Sequence, residues 1–255
     1  VHGEEEAEKA PAICQKGDIW QLGEHRLMCG DSTENQDVEK LVGGGTVDLW
    51  LSDPPYNVAY QGETKDKLTI ANDNMSSDDF LEFLTKAFSL CEGVLKKGGA
   101  FYIWFASREH INFERALNKV GLQVRQELIW NKNALVLGRQ DYQWKHEPCL
   151  YGWKEGATHY FIDSRTQTTV INENKPSRNG EHPTMKPLGL IGQLILNSSR
   201  ERESVLDTFG GSGSTMMACE QLNRKCYMME LDPHYCDVII ARWEKMTGKQ
   251  AVKIN

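Results

Sequence analysis

Apolar side chains along this chain alternate between helical stripes and short apolar runs, and that alternation predicts the architecture. Phe80, Leu81, Leu84, Ala87, Phe88, Cys91, Val94 and Leu95 recur at the three- and four-residue spacing of a helix laid on a core. Ser76 and Asp79 have the spacing of a capping box at its start, and Gly98-Gly99 should end it. Residues 100–105 read as a short buried strand, 108–120 as a second amphipathic helix closed by Gly121, and 122–130 as an alternating strand. Residues 47–51 are an apolar run with Asp48 near its start. The order is therefore β-α-β-α-β, which predicts a parallel sheet with right-handed crossovers.

The flanks extend the pattern. Residues 18–22 and 25–29 surround Gly23-Glu24 as a hairpin with a two-residue turn. Ser32 or Thr33 then caps a helix over 34–42, which Gly43-Gly44-Gly45 ends. Towards the C-terminus, Pro187 opens a helix whose face is Leu190, Ile191, Leu194 and Ile195. A strand at 204–207, a helix at 215–222, a strand at 226–229 ending on Glu230, and a helix at 235–246 introduced by Asp232-Pro233 follow.

Two stretches break the rhythm. Residues 59–75 are polar, with Lys65, Lys67, Asn72 and Asn74, and read as a lid or a nucleic-acid contact. Residues 131–183 interleave aromatic and basic side chains: Arg139, Tyr142, Trp144, Lys145, His146, Tyr160, Arg165, Lys175 and Arg178. Short strands are expected there at 148–153 and 159–163. That composition suits base stacking and phosphate contact, and the competing reading is a solvated insertion with a small core of its own.

Composition narrows the class. At 255 residues, 40% hydrophobic and 25% charged, the chain is one large α/β domain or a domain with an insertion. No apolar run approaches a membrane span, and no secretory signal is visible. A net charge of −7 weighs against nucleic acid, but Glu4, Glu5, Glu6 and Glu8 crowd an acidic leader, residues 1–12, expected to lack fixed structure. The seven cysteines include no C-x-x-C pair. That argues against zinc and for reduced, buried thiols in a cytoplasmic protein.

Candidate chemistry sits where strands end. Ser52-Asp53-Pro54-Pro55-Tyr56-Asn57 follows the run at 47–51, and two prolines cannot continue a ladder. Asp53 is thereby held extended at the carboxyl edge of its strand, where ligands of open α/β sheets bind. A carboxylate, a proline carbonyl and the flat face of Tyr56 together suit a planar amine. The second candidate is Asp207-Thr208-Phe209-Gly210-Gly211-Ser212-Gly213-Ser214-Thr215, between a strand and a helix, with Glu230 ending the next strand. Glycines there admit a ligand to the backbone, and an acid in the place of Glu230 can accept both ribose hydroxyls. The glycines are not spaced G-x-G-x-x-G, and an acid in the loop would repel a pyrophosphate. A cationic nucleoside such as S-adenosylmethionine fits better than NAD.

Asp53-Pro54-Pro55-Tyr56 resembles the catalytic motif of the amino-methyltransferases that modify exocyclic amines of adenine or cytosine. Asp207-x-Phe209-x-Gly211-x-Gly213 is similar to their cofactor loop, and His182-Pro183-Thr184-Met185-Lys186-Pro187 to the segment that closes over the methionine moiety. Asn131-Lys132 and residues 147–151 resemble the strand and loop near the target base. With the catalytic motif first and the cofactor loop last, the order is that of the circularly permuted β class of DNA methyltransferases, over about residues 17–248.

The resemblance implies a doubly wound, mostly parallel, Rossmann-like methyltransferase sheet spanning 13–255, with a small target-recognition insertion at about 156–181. It implies catalysis by Asp53, Pro54, Pro55 and Tyr56. Cofactor binding falls to Asp31, Asp53, Thr184, Lys186, Asp207, Phe209, Gly211, Ser212, Gly213, Ser214, Thr215, Glu230, Leu231 and Asp232, with helix capping the other reading of Asp31. Nucleic-acid contact falls to Arg139, Lys145, His146, Arg165, Lys175 and Arg178. The implied cofactor is S-adenosylmethionine and the implied partner double-stranded DNA, with a homodimer left open and no metal or membrane. Asp at the first motif position is associated mostly with adenine N6, and Ser mostly with cytosine N4. Adenine N6 is therefore the expected target, in restriction-modification or phage modification. Cytosine N4 is the alternative, followed by an inactive nucleic-acid-binding homologue.

Overall fold

The computed structural model describes residues 12–57, 74–173 and 186–255. The expected leader, the lid at 59–75 and the segment at 182–185 lie wholly or mostly outside them. The elements, in chain order, are β1 (Ile19–Leu22), β2 (His25–Cys29), α1 (Asn35–Val42), β3 (Val47–Ser52), α2 (Ser77–Val94) and β4 (Leu95–Trp104). A 3-10 turn leads into α3 (His110–Lys119), then β5 (Val124–Val136), β6 (Trp144–Trp153), β7 (Val170–Asn172) and α4 (Leu188–Ser198). The chain closes with β8 (Ser204–Asp207), α5 (Ser214–Gln221), β9 (Lys225–Glu230), α6 (Pro233–Thr247) and β10 (Val252–Lys253).

The strands form one sheet in the order β10-β1-β2-β9-β8-β3-β4-β6-β5-β7. Its centre, β2-β9-β8-β3-β4, is parallel, and antiparallel pairs flank it. Alternation along the strands divides the core into two layers. Leu49 and Leu51 face the layer that buries Leu190 and Leu194 of α4, Met216 of α5 and Trp243 of α6. Trp50, Phe101 and Ile103 face the layer of Leu41 from α1, Phe80, Leu84 and Phe88 from α2, and Phe113 from α3. This is the doubly wound α/β arrangement.

Burial of the predicted stripe explains α2: Phe80, Leu81, Leu84, Ala87, Phe88 and Cys91 are all inside. Its start is as expected, with the Ser76 hydroxyl accepting the Asp79 backbone N–H at 3.2 Å. At the opposite edge of the sheet from the strand ends that carry the motifs, Asp48 fastens three strands. It accepts from the Ser204 N–H at 2.7 Å and hydroxyl at 2.8 Å and pairs with Lys96. All seven cysteines are buried and unpaired. No helix among the described residues is long and apolar enough to cross a membrane.

Several expectations need correction. Gly98-Gly99 does not end α2. The helix stops at Val94 and β4 runs straight through the glycines. Gly98 adopts φ +77°, and a Cβ there would lie 2.5 Å from the Thr158 carbonyl oxygen. The pair is needed for a close backbone approach inside a strand. Neither Ser32 nor Thr33 caps α1, because Glu34 holds the cap position without a side-chain bond. Residues 159–163 are not a strand. His159 stacks on Trp153 at 3.7 Å, the Arg200 guanidinium lies 4.1 Å from the Tyr160 ring, and the Ile162 N–H reaches the Asn197 carbonyl. Aromatic packing against the body produces the alternation there. The third strand of the β-α-β-α-β reading, β5, does not pair with β4, because β6 comes back antiparallel and inserts between them.

Gly98→Ala should destabilise the fold by about 1–3 kcal/mol, through positive φ and a backbone clash together. Gly44 has the same φ of +77° with open space around it, so Gly44→Ala should lose only the conformational part. Equal losses in urea unfolding would remove the Thr158 contact from the explanation.

Candidate active site

β3 and β8 are parallel neighbours, with Leu49 opposite Val205 and Trp50 opposite Leu206. Their carboxyl ends therefore deliver Asp53 and Asp207 to one edge of the sheet. From this pair the chain proceeds in opposite directions, β3 to β4 on one side and β8 to β9 on the other. This is the topological switch point at which ligands enter open α/β sheets. The two ends are tied by side chains. The Trp50 indole donates to Ser52 Oγ at 3.0 Å, and the Ser52 hydroxyl donates to Asp207 Oδ1 at 3.1 Å. The Thr208 N–H also donates to Ser52 Oγ.

Beyond β3 the two prolines carry Asp53 clear of the ladder. Its Oδ1 accepts the Tyr56 hydroxyl and its Oδ2 the Lys186 ammonium. Lys186, 5% exposed, also lies 3.0 Å from the Tyr56 hydroxyl, 3.2 Å from Glu147 Oε2 and 4.9 Å from the Trp104 ring. Glu147, on β6, takes Lys132 of β5 on its other oxygen. Two carboxylates thus face two ammoniums. Burial alone would lower the Lys186 pKa, but Asp53 and Glu147 outweigh it and hold it above its ordinary value. Burial would raise the Glu147 carboxyl, but Lys186 and Lys132 hold it below the ordinary carboxylate value. Burial, then Asp53 and Glu147, push the Tyr56 phenol well up, so it stays a neutral donor.

The glycine turn on the other side has the properties of a nucleoside cradle. Glu230 ends β9, receives Gly211 N–H on Oε2 at 2.7 Å and Asp232 N–H on Oε1 at 2.9 Å, and keeps further acceptor capacity. Burial raises its pKa to about 7. Gly211 sits at φ +52° with nothing within 4 Å of where a Cβ would be, and Ser214 Oγ is buried without a partner among the described residues. These features fit a ligand rich in hydroxyls lying along the loop. Asp207 is 3% exposed and also raised by burial to about 7. It spends its oxygens on Ser52, the Phe209 N–H and Thr215, so it acts on a ligand through charge rather than an open lone pair.

Phe209 packs edge-on against Phe83, and Ser212 lends its carbonyl to Arg242. Gly213 has φ +84° and caps α5. Asp31 stands beside Glu230, since Gly30 N–H donates to the Glu230 carbonyl. It accepts the Thr33 N–H and hydroxyl, forming a local turn rather than the helix cap. Leu231 and Asp232 follow at the rim, and Asp232 caps α6 through the His234 N–H. Thr184 lies outside the described residues.

The basic candidates divide. Arg139 and Lys145 are exposed around the tip of the β5–β6 hairpin, and His146 lies just below it, opposite Asn131. Arg165 is exposed on the segment that bonds to the C-terminal end of α4, whereas Lys186 precedes that helix. α4 is about 16 Å long, which separates Arg165 from the Asp53 cluster. Lys175 and Arg178 lie outside the described residues. Sequence reading left out the bridging role of Ser52 and the charge roles of Glu147 and Lys132. The signal was a lysine just past the end of one predicted strand and an acid just before the start of another. No described group of three or more His, Cys, Asp or Glu side chains could hold a metal.

A family profile described as DNA methylase matches residues 47–242. The chain is similar to the Type II methyltransferase M.HpaI of Haemophilus parainfluenzae, 26% identical over 237 residues, covering 84% of this chain and 73% of that protein. It is similar to the DNA adenine methyltransferase YhdJ of Escherichia coli, 26% identical over 236 residues, covering 80% and 78%. Among solved structures it resembles M1.HpyAVI in complex with S-adenosylmethionine, with TM-score 0.66, 22% identity, and 85% of this chain on 97% of that one. It also resembles the PvuII DNA methyltransferase, described as cytosine-N4-specific, with TM-score 0.65, 18% identity, and 87% on 89%. At these identities the structural likeness is one of fold.

Lys186→Met should leave Asp53 and Glu147 short of one counter-charge. The Glu147 pKa should then climb above its unfolded value, so the variant is destabilised at pH 7 and regains part of the loss as pH falls towards 5. Because Glu147 keeps Lys132 and some solvent contact, the loss at pH 7 should be about 1–3 kcal/mol. Carboxyl titration by NMR and urea unfolding at both pH values check this, and an unmoved Glu147 titration would break the proposed coupling.

Proposed function

The chain belongs to the DNA methylase family, and from that premise we propose that it transfers a methyl group from S-adenosylmethionine to adenine N6 in double-stranded DNA, with the target base flipped out of the helix. The observation that carries this reading is the placement of Asp53-Pro54-Pro55-Tyr56 at the switch point, one strand away from the glycine loop and fastened to it through Ser52. Bound there, S-adenosylmethionine supplies an electrophilic methyl group.

The residues of this chain do the rest. Glu230 accepts the ribose hydroxyls, and Gly211, Ser212 and Gly213 let the cofactor lie on the backbone, with Ser214 and Thr215 at the start of α5. Phe209, Asp31, Leu231 and Asp232 line the same rim, and Lys186 and Thr184 belong to the segment preceding α4. An exocyclic amine is a weak nucleophile because its lone pair is delocalised into the ring. Asp53 and the Pro54 carbonyl accept its two N–H groups, favour a pyramidal nitrogen and free the lone pair. Asp53 also stabilises the positive charge that develops on nitrogen. Pro55 fixes the backbone, and Tyr56 offers its ring to the extruded base. Each oxygen of Asp53 holds one donor and keeps a further lone pair, so the amine can be accepted beside them. Glu147, 3.2 Å from Lys186 and 3.5 Å from the Tyr56 hydroxyl, is a second acceptor for the same two donors.

Adenine is favoured by Asp at the first motif position and by one curated relative being named an adenine enzyme. A cytosine-N4 fold neighbour keeps that base as the second reading. Arg139, Lys145 and His146 contact the DNA beside the site.

Asp53→Ala should lower turnover by about 10²–10³ with S-adenosylmethionine affinity retained. Tyr56→Ala should weaken capture of the target by about 1–3 kcal/mol. Nucleoside analysis of DNA methylated by the wild type should yield N6-methyladenine. N4-methylcytosine would select the second reading, and a folded Asp53→Ala with near-normal turnover would defeat the mechanism.

Glu230 and Asp207 each titrate near about 7, because burial disfavours their charge. A cationic ligand with ribose hydroxyls favours the ionised forms. Affinity for S-adenosylmethionine should therefore rise with pH up to about 7 and level off above it, with protons released on binding. Glu230→Ala should cost about 1–3 kcal/mol of binding and reduce the proton release. Calorimetry in buffers of differing ionisation heat reads both, and a pH-independent affinity would contradict the assignment.

A further inference from the structure

Twelve large hydrophobic side chains are exposed among the described residues, and five of them fall between positions 135 and 144. They are Leu135 (54% exposed), Val136 (52%), Leu137 (83%), Tyr142 (91%) and Trp144 (39%). All five sit at the far end of the β5–β6 hairpin, where Val136 opposite Trp144 is the last strand pair. Its loop is closed by its own bonds, Gly138 N–H to Gln143 Oε1 at 2.6 Å and Gln143 Nε2 to the Gln140 carbonyl at 2.7 Å. A water-exposed apolar cluster on an ordered finger marks a contact surface.

Just below this tip lies the active site. Asn131 pairs with His146 and Trp130 with Glu147, and Glu147 carries the ion pairs to Lys132 and Lys186. On β6 the pairs at Trp144 and His146 are two residues, roughly 7 Å, apart, while β5 bulges between them and the loop of residues 137–143 projects beyond. A target base held at Asp53 has left its stack, and the axis of its duplex lies on the order of 10 Å or more away. A major groove about 12 Å wide admits a two-stranded ribbon. The hairpin therefore has the width to enter the groove, and its tip lies close to the pocket from which the base was taken. Arg139 and Lys145 on the tip suit flanking phosphates, with Asp141 the one acid between residues 137 and 145.

Resting on the DNA methylase reading above, we propose that the apolar tip of the β5–β6 hairpin, led by Leu137 and Tyr142, inserts into the duplex and fills the gap left by the flipped base. Apolar wedges between base steps are a recurrent means of holding open an unstacked duplex. Here the wedge and a wall of the pocket belong to one hairpin, so insertion and capture are geometrically coupled.

The test uses the full chain with Leu137→Ala and Tyr142→Ala together. Both side chains are exposed, so folding and S-adenosylmethionine affinity should stay as in the wild type. Substrates are two duplexes carrying a site mapped from DNA that the protein has methylated, one with a normal target pair and one with an abasic position opposite the target. On the normal duplex kcat/KM should fall at least about tenfold, and on the pre-opened duplex the loss should shrink to about threefold or less. With 2-aminopurine as the target base, the wild type should brighten on binding and the variant should not. Equal losses on both duplexes, no loss on either, or a wild-type dimer that the substitutions dissociate in sedimentation would overturn the wedge and leave the methylase reading standing. A wild-type chain that binds S-adenosylmethionine but leaves no methyl mark on any DNA, so that no site can be mapped, would overturn both.

Discussion

Everything at the site depends on the parallel pairing of β3 with β8. The last residue of β3, Ser52, and the last of β8, Asp207, are 155 positions apart in sequence and 3.1 Å apart through their side chains. The pairing fixes the spacing between a carboxylate suited to an amine and a loop suited to a nucleoside. Trp50, buried in the layer beneath, adds its indole N–H to the same hydroxyl. Packing in the core and alignment of the two halves are in this way one interaction.

A second consequence is electrostatic. Asp53, Glu147, Lys132 and Lys186 come from four segments and balance in charge. Glu147 is the more buried of the two carboxylates, and Lys186 and Lys132 offset the cost of its charge while Lys186 also orients Asp53. The same pairing holds the carboxylate in place before a substrate amine arrives, with lone pairs left to accept it. Little reorganisation is then left for the moment of reaction, which is the condition for effective charge stabilisation.

The sheet's centre was legible because each strand there carries its own signal: an apolar run, a polar or proline stop, and a following helical stripe. Asp53 and Glu230 could be named from sequence for the same reason, since a strand end places its last side chain predictably. What could not be read depends on contacts between distant segments. The insertion of β6 between β4 and β5 leaves no local mark. The two glycines of β4 look like a helix stop because their partner, the Thr158 carbonyl, is 60 residues away. The meeting of Lys186 with Asp53, 133 residues apart, is likewise a property of the assembled sheet. Residues 159–163 misled because aromatic packing and strand alternation produce the same pattern over five positions.

The place of β8 in the sheet also bears on how the molecule is born. At about 5–20 residues per second, synthesis of the stretch between Ser52 and Asp207 takes on the order of 10–30 s. For that interval β3 has β4 on one side and an open, apolar edge on the other, the kind of edge that pairs with foreign chains. The nascent protein must therefore emerge with β3 half-satisfied and wait for the chain up to Asp207 to be made before the gap can close. A cell making this chain meets that hazard on the ribosome, before the two halves of the site have come together.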